Sequence, residues 1–463
     1  MAISSVGAGS GILTQDVLDQ LRKADEAGKI TPIDLKLANE KDKKDALEII
    51  DANMTNLIDS INEIKSATLY NERSTEVTGS AVTATASDNS DIQDFTLEVI
   101  SLATKQIEES AAFTDGEDSL VSGAAGQINI NIDGKDYKID YTATTTLKEL
   151  KNEINKVAGE KVDATLLNVS QDPTTHKWNT KLYISSANTG SNQDITITDV
   201  TGTIDSKITG MTNVQAGADA EFKFNNGASL FRSSNTVDDL ITGVDIQLAE
   251  VGTSTVSISQ NRENLMEKFD NFVKHFNSAI SELNRMTKPS AESDERGIFS
   301  GESTIRGMKD RLTTMISSVG GSVGSLFDYG FDISKEGTIS LDKDVLNKKI
   351  DENASNVKIF FSGGDFDNGD NTTTTVDGTF TELSNIVESY TKYNATLDQF
   401  KTTLTDGISQ LNEQKTLAVE RLDNKYETLK KQFIAYDIMI SKINSASSMF
   451  VQIANAQTAA ANG

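Results

Sequence analysis

The 463-residue sequence contains no cysteine, two histidines and one tryptophan. The absence of cysteine excludes disulfide bonds and any catalytic or metal-binding thiol. A zinc site would have to be built from His176, His275 and carboxylates, which is a poor supply because histidine and cysteine are the usual ligands. No set of nucleophile, base and orienting residue is visible either. We therefore predict no catalytic residues, no metal site and no cofactor.

Positive charge is also scarce, since 43 Lys and Arg face 69 Asp and Glu, for a net charge of −26. Phosphates and anionic lipids repel such a chain, which argues against nucleic acid and against anionic membrane surfaces. No run approaches the ~18 consecutive apolar residues of a membrane helix. Met1 to Leu21 lacks the basic and apolar regions of a cleaved signal, so the N-terminus alone predicts a cytoplasmic protein.

The composition changes twice along the chain. Residues 14 to about 70 read as helix, residues 76 to about 259 are rich in Thr, Ser, Gly, Asn and Val, and helical patterning resumes at Arg262. Three apolar seams with alternating three- and four-residue spacing mark the helices. They comprise Leu47, Ile50, Met54, Leu57, Ile61 and Ile64; Leu265, Phe269, Phe272, Phe276, Ala279 and Leu283; and Tyr426, Leu429, Phe433, Tyr436, Ile440 and Ile443.

A narrow apolar stripe is buried only when another helix lies against it. We therefore expect the first helix to pack against the helices of the last third, with the middle region inserted between them. Separate helical bundles at each end are the alternative. Lys415 falls where the last seam expects an apolar residue, which predicts a local defect or an exposed turn.

The middle region alternates with the period of two that is typical of strands. Residues 128–132 and 137–141 alternate in this way on either side of Asp133-Gly134, a strong hairpin signal. A short helix follows, with Leu147 and Leu150 on one face and Thr144 to Thr146 as candidate caps. Many short strands of this kind indicate small β-sandwich or barrel-like modules.

Two further motifs carry no chemistry. The glycines of residues 320–324 lack the Lys-Ser/Thr of a phosphate-binding loop. Residues 365–370 are acidic but lack the glycine at position six and the terminal glutamate of a calcium loop, so we interpret them as a solvated turn.

Four stretches in order along the chain resemble the FliD family of bacterial flagellar filament cap proteins (hook-associated protein 2). The opening segment is a small-residue Gly-Ser-Gly stretch that leads to Pro-Ile-Asp-Leu, although Ile12-Leu13 replaces the usual Leu-Asp. This first stretch occupies residues 3–13 and 32–35. The second, residues 95–103, is a strand followed by Leu-Ala, and the third, residues 235–244, is an Asn-x-Val-x-Asp…Gly-Val segment. The fourth is a Gly-Thr-Ile-Ser-Leu-Asp segment within residues 329–342, followed by Val-x-x-Phe-Phe at residues 357–361.

The resemblance implies a non-enzymatic protein at the tip of the flagellar filament that helps exported flagellin fold and insert, and prevents its loss. Its implied partners are flagellin, further copies of itself in a closed ring (a pentamer by resemblance) and a flagellar export chaperone. Export through the flagellar type III system uses no cleaved signal, so the resemblance replaces the cytoplasmic prediction with a secreted one. The missing cysteines suit a chain that is exported unfolded.

The predicted fold is α+β and multidomain: a helical coiled-coil stalk built from both termini, with an inserted β-rich head of sandwich or barrel-like modules. We expect five segments in order along the chain. An N-terminal leg (residues 1–40) precedes a stalk helix (41–75) and the β-rich head (76–259), which is divided into about two modules with possible borders near residues 110 and 205. A helical stalk domain with a small β element (260–425) and a C-terminal leg helix and tail (426–463) follow.

Terminal seams without a full partner in one subunit can bury their stripe against neighbouring subunits or flagellin. Within a single subunit they can instead form an ordinary coiled coil. A flagellin or hook–filament junction protein shares helical termini with a β insertion and is the alternative function, and a surface adhesin is another. The candidate interface residues are Ile12, Leu13, Val17, Leu18, Leu21, Tyr436, Ile440, Ile443, Met449 and Phe450.

Overall fold

The computed structural model describes residues 14–292 and 295–461. Within these ranges it contains nine α-helices, several of which are long. They are α1 (Gln15–Lys29), α2 (Thr31–Lys65), α3 (Leu147–Ala158), α4 (Ser206–Thr209), α5 (Arg262–Thr287), α6 (Ser303–Ser318), α7 (Lys343–Ser362), α8 (Thr379–Thr391) and α9 (Thr396–Ala461).

The same ranges contain 19 short strands, most of them between α2 and α5. They are β1 (Arg73–Thr78), β2 (Val82–Ala86), β3 (Gln93–Ser101), β4 (Ile107–Glu109), β5 (Gly126–Ile132), β6 (Lys135–Tyr141), β7 (Val162–Gln171), β8 (Trp178–Ser186), β9 (Thr196–Thr201), β10 (Thr212–Gln215), β11 (Ala220–Phe224), β12 (Ser229–Arg232), β13 (Thr236–Ile241), β14 (Val244–Leu248), β15 (Gly252–Gln260), β16 (Phe331–Ile333), β17 (Ile339–Leu341), β18 (Gly364–Asp367) and β19 (Thr373–Val376).

The chain divides into two compact units. Met1–Ala67 and Asn264–Gly463 form a helical unit, and Thr68–Glu263 form an inserted unit. The helical unit contains α1, α2 and α5 to α9, and the inserted unit contains β1 to β15. The prediction of an α+β multidomain chain, with helical segments from both ends of the sequence and a β-rich insertion between them, is confirmed.

The core of the helical unit is formed by the first two of the three seams seen in the sequence. All six apolar seam residues of α2 between Leu47 and Ile64 are almost completely buried, and α2 packs against α8 and α9. The phenylalanines of α5 join an aromatic cluster in which the ring of Phe269 lies 4.9 Å from that of Phe361, and the ring of Phe272 lies 4.8 Å from that of Phe380. The predicted packing of the first helix against the last third is therefore confirmed.

Helix α9 runs antiparallel to α1 and α2, as a ladder of ion pairs shows. Lys401 lies 3.8 Å from Glu48, and Lys415 lies 2.7 Å from Asp34. The defect or turn expected at Lys415 is not present, because α9 continues through it without a break. The lysine is paired across the seam with a carboxylate instead of being buried.

The inserted unit has two hydrophobic cores. One lies between the five-stranded sheet β1-β15-β3-β11-β12 and the three-stranded sheet β13-β14-β2. The other is formed by the four-stranded sheet β10-β4-β8-β7, the three-stranded sheet β6-β5-β9 and α3. We refer to the second group, which spans residues 107–215, as the α3 module. These two cores match the small β modules expected from the period-two pattern.

Two local predictions in the α3 module are confirmed. Asp133 and Gly134 both have positive φ, 52° and 70°, and they join β5 to β6 as a two-residue hairpin turn. Thr146 is the N-cap of α3, where its hydroxyl accepts a hydrogen bond from the Glu149 amide while the Glu149 carboxylate accepts one from the Thr146 amide. This reciprocal arrangement is the capping box that satisfies two otherwise unpaired donors.

Candidate interface

A seam between α1 and α9 holds the first described helix in place. Leu18 of α1 is buried with Leu422 and Tyr426 of α9, and half-buried Ile30, Leu429 and Phe433 pack around them. The seam forms here because each helix is apolar on one stripe only and buries it against the other.

Charged groups flank this seam on both sides. Arg22 Nη2 lies 2.5 Å from Asp423 Oδ1, and Lys425 Nζ lies 2.5 Å from Asp25 Oδ2. The Tyr426 hydroxyl also donates to Asp25, over 2.9 Å. The hydrogen bond from Lys425, and then the one from Tyr426, lower the pKa of the Asp25 carboxyl below its ordinary value. The same hydrogen bond raises the pKa of Lys425, so the pair holds both groups in their charged forms.

The stripe of α9 that packs on α1 continues beyond Phe433. With 3.6 residues per turn, Tyr436, Ile440 and Ile443 lie within about 60° of one another around the helix axis. Tyr436 is 56% exposed, Ile443 is 60% exposed and Phe450, further along the helix, is 72% exposed. These side chains are large and apolar, yet the described residues leave them open to solvent.

Exposed apolar residues in this part of α9 are not confined to one stripe. Ile438 follows Tyr436 by two positions, which places it about 200° away around the helix. A helix that is apolar on several faces is stable in water only when more than one neighbour covers it. We name the exposed apolar set of α9 the terminal patch; it comprises Tyr436, Ile438, Met439, Ile443, Met449, Phe450, Val451 and Ile453.

The predicted interface residues fall into three groups. Ile12 and Leu13 lie outside the described residues. Leu18 is 3% exposed and packs inside the chain against α9, whereas Val17 and Leu21, on the same helix, are exposed. The α9 candidates are exposed apart from Ile440, which is half-buried; they are Tyr436, Ile440, Ile443, Met449 and Phe450.

The sequence prediction missed Ile438, Met439, Val451 and Ile453. It followed a seam with heptad spacing, and a seam by definition leaves out apolar residues on the other faces of the helix. A simple count of large apolar residues between 436 and 453, without regard to spacing, would have found them. The missed residues indicate a surface wider than one coiled-coil stripe.

In the described part of the chain, no group of three or more His, Asp or Glu side chains is arranged to hold a metal ion. No helix of that part combines the length and the apolar content that a bilayer crossing requires.

Two family models match the sequence in the order and at the places where the motifs occur. A model described as the flagellar hook-associated protein 2 N-terminus matches residues 10–106, and one described as the C-terminus of the same protein matches residues 217–445. The chain belongs to the flagellar hook-associated protein 2 family. The two matches leave out residues 107–216, which include the whole α3 module.

Named members of the hook-associated protein 2 family align with half or more of this chain at low identity. The protein of that name from Escherichia coli K12 is 26% identical over 481 residues, covering 97% of this chain and 98% of its own. The Campylobacter jejuni protein is 24% identical over 78% of this chain, and a Helicobacter pylori protein is 29% identical over 50%. The chain spans 64% and 35% of the length of these last two relatives.

The fold is also similar to a solved structure of the family. The crystal structure of the flagellar cap protein FliD domains D1-D2-D3 from Escherichia coli superposes with a TM-score of 0.58 at 21% identity. The match covers 78% of this chain and 99% of that one. The family and the fold thus agree with the assignment made from the four sequence motifs.

Proposed function

We propose that this chain is a subunit of the flagellar filament cap. It acts at the distal tip of the filament, promotes the folding and insertion of exported flagellin, and prevents the loss of flagellin to the medium. Membership of the hook-associated protein 2 family is the observation that carries the proposal. The similarity of the fold to a protein described as a flagellar cap supports it.

The terminal patch of α9 supplies the physical basis for this role. Fully burying a large apolar side chain contributes about 1.5–3 kcal/mol relative to leaving it in water. Tyr436, Ile443 and Phe450 are each more than half exposed, so roughly half of that gain is still available at each. Association with flagellin or with a neighbouring subunit recovers it, and no covalent chemistry is needed. The proposed role is therefore non-enzymatic.

The proposed partners follow from the same surface. Copies of the chain assemble into a closed ring, a pentamer by family resemblance, which requires head-to-tail contacts between two different patches on each subunit. Flagellin and a flagellar export chaperone are the other partners. In this proposal the chain reaches the filament tip through the flagellar type III system, without a cleaved signal.

The test of the proposal is complementation of a strain that lacks this gene, with electron microscopy of the cells. We expect the deletion strain to show hooks without filaments and flagellin in the medium, and the wild-type chain to restore filaments. Normal filaments on the deletion strain would contradict the cap function.

The contribution of the terminal patch is tested separately with the double variant Ile443→Asp, Phe450→Asp. Since both side chains are exposed, the variant should keep the helical circular dichroism spectrum yet lower the number of filamented cells at least tenfold. The matched control, Asn444→Asp with Ser448→Asp, places the same charge at exposed polar positions of the same segment and should restore filaments. Full rescue by the apolar-to-Asp variant would show that the terminal patch is not the working surface.

A further inference from the structure

An open groove lies at one end of the α3 module. It has a volume of about 770 Å³, within the range of roughly 300–1,000 Å³ that is usual for small-molecule sites. The loop of residues 113–120 forms one wall and the hairpin of β7 and β8 forms the other, with the start of α4 at the base.

Trp178 lies on the hairpin wall of this groove. It is the only tryptophan in the chain, and it is 46% exposed. Alternate residues of a strand share a face, so Trp178 continues the face on which Thr180 and Leu182 are fully buried. The core therefore ends at Thr180, and the indole extends the same surface into the groove.

The walls of the groove are joined by direct bonds. Phe113 and Thr180 exchange backbone hydrogen bonds of 2.8 and 2.9 Å, which fix the loop to β8. The Thr180 hydroxyl donates to Asn168 Oδ1 across the hairpin over 2.5 Å. Further out, Lys177 Nζ lies 2.7 Å from Asp115 Oδ1 and links the hairpin tip to the loop. These bonds hold the two walls of the groove together, which lowers the entropic cost of binding.

Most charges of the lining are neutralised within the protein. Besides the pair of Lys177 with Asp115, Lys207 lies 3.3 Å from Asp205 and also stands 4.6 Å from the centre of the Phe113 ring. Glu117 is paired with Lys148 over 3.0 Å. An anion entering the groove would compete with these carboxylates and would also meet the field of a chain of charge −26.

We propose that this groove binds a neutral saccharide. A sugar ring has an apolar C–H face that packs on the flat, electron-rich face of an indole, and a rim of hydroxyl groups that both donate and accept hydrogen bonds. Trp178 provides the flat surface. Asn168, Asp115 and Lys177 line the groove around it and supply amide, carboxylate and ammonium partners for the hydroxyl groups.

The site is separate from the surface proposed for filament capping. It belongs to the α3 module, which lies between the two segments that match the family models. The same neutral sugar chemistry occurs on host glycans and on bacterial polysaccharides, so both sources are tested.

The experiment uses the full chain and the fluorescence of Trp178, which needs no label because no other tryptophan contributes. Neutral oligosaccharides (maltoheptaose, chitotetraose, lacto-N-neotetraose) are titrated beside the anionic sialyllactose and a heparin fragment. Arrays of mammalian-type glycans and of bacterial polysaccharides, probed with the labelled chain, then distinguish the two sources. We expect a saturable change with at least one neutral sugar, at dissociation constants of about 10 μM to 1 mM.

Variants link the binding to the groove. On the array, Trp178→Ala should weaken binding at least tenfold, and Trp178→Phe should lose less. Phe231→Ala should bind like wild type because Phe231, an exposed aromatic residue on β12, does not line the groove. Trp178→Ala should also restore filaments to the deletion strain, which separates this site from the capping function. Absence of saturable binding, binding by anionic sugars alone, or unchanged binding by Trp178→Ala would overturn the proposal. If Trp178→Ala fails to fold, unchanged binding by both Trp178→Phe and Asn168→Ala would overturn it.

Discussion

At the scale of single residues, the ion pairs along α9 show that a sequence pattern does not identify the distant partner of a residue. Lys415 interrupts the apolar seam, and the sequence alone suggested a defect there. Its partner, Asp34, lies almost four hundred residues away in the chain, so only the folded structure reveals that the seam is completed by a charge pair. Leu18 is a similar case, because spacing identifies it as a seam residue without indicating that Leu422 and Tyr426 cover it.

The pair of Asp25 and Lys425 makes the attachment of α1 dependent on pH. The pKa of Asp25 is lowered below its ordinary value of 3.8 by the hydrogen bonds from Lys425 and Tyr426. A carboxyl whose pKa is lower in the folded state stabilises that state above its unfolded pKa, and the contribution is lost as the pH falls through the folded value. For Lys425, whose pKa is raised from 10.5, the contribution is present below that value and is lost as the pH rises.

We therefore expect α1 to be held most firmly between about pH 4 and pH 10, with weaker attachment in acid. Hydrogen exchange of the α1 amides in wild type, compared with Asp25→Asn at the same pH, provides the measurement. Wild type should be better protected at pH 7, and the difference should shrink as the pH falls from 3.8 through the lowered pKa of the folded Asp25 carboxyl, because the carboxyl is then protonated. A difference of unchanged size throughout the acid range would mean that the charge of Asp25 is not what holds the helix.

At the scale of secondary-structure elements, the period of the apolar pattern proved to be the most informative signal. Long seams such as that of α2 identified the helices and their buried faces, because a helix repeats its core contacts every three to four residues. Helix α8 was not recognised individually, since its buried set is short and partly polar: it buries Thr379 and Ser384 beside Phe380, Leu383 and Val387. Short segments of this kind are decided by tertiary contacts.

The cap of α3 gives a quantitative test at this scale. The Thr146 hydroxyl and the Glu149 carboxylate each satisfy a backbone donor at the first turn of the helix. Replacing a Ser or Thr cap by alanine typically costs about 0.5–2 kcal/mol. Thr146→Ala should lower the free energy of unfolding of the inserted unit by that amount in urea titrations monitored by circular dichroism. Thr146→Ser, which keeps the hydroxyl, should stay within about 0.5 kcal/mol of wild type. Equal loss in the two variants would show that the hydroxyl is not the stabilising group.

At the scale of the whole molecule, the two-unit organisation could be anticipated because the composition itself changes at both borders of the insertion. The ends of the inserted unit could not be located from composition, which shifts gradually, but the pairing of β1 with β15 defines them. Arg73 is paired with Gln260, and just outside that pair the Asn261 amide donates to the Glu72 carbonyl over 3.0 Å. The chain therefore enters and leaves this unit at neighbouring points.

This pairing leads to the prediction that residues 68–263 fold on their own. Their two hydrophobic cores are formed entirely by residues of the unit, and a segment whose ends lie side by side can be cut out without opening a gap in its sheets. Expressed alone, the segment should show a β-rich circular dichroism spectrum. Its unfolding should be cooperative, with one transition for the whole segment or one for each of its two cores. The fluorescence maximum of Trp178 should match that of the full chain, since every residue that lines its groove is retained.

A control segment of residues 80–263 lacks β1, and it should unfold at a lower urea concentration because β15 then has an unpaired edge. An unfolded 68–263 segment would mean that the insertion depends on the helical unit for its stability, and that the pairing of its ends is not enough to make it independent.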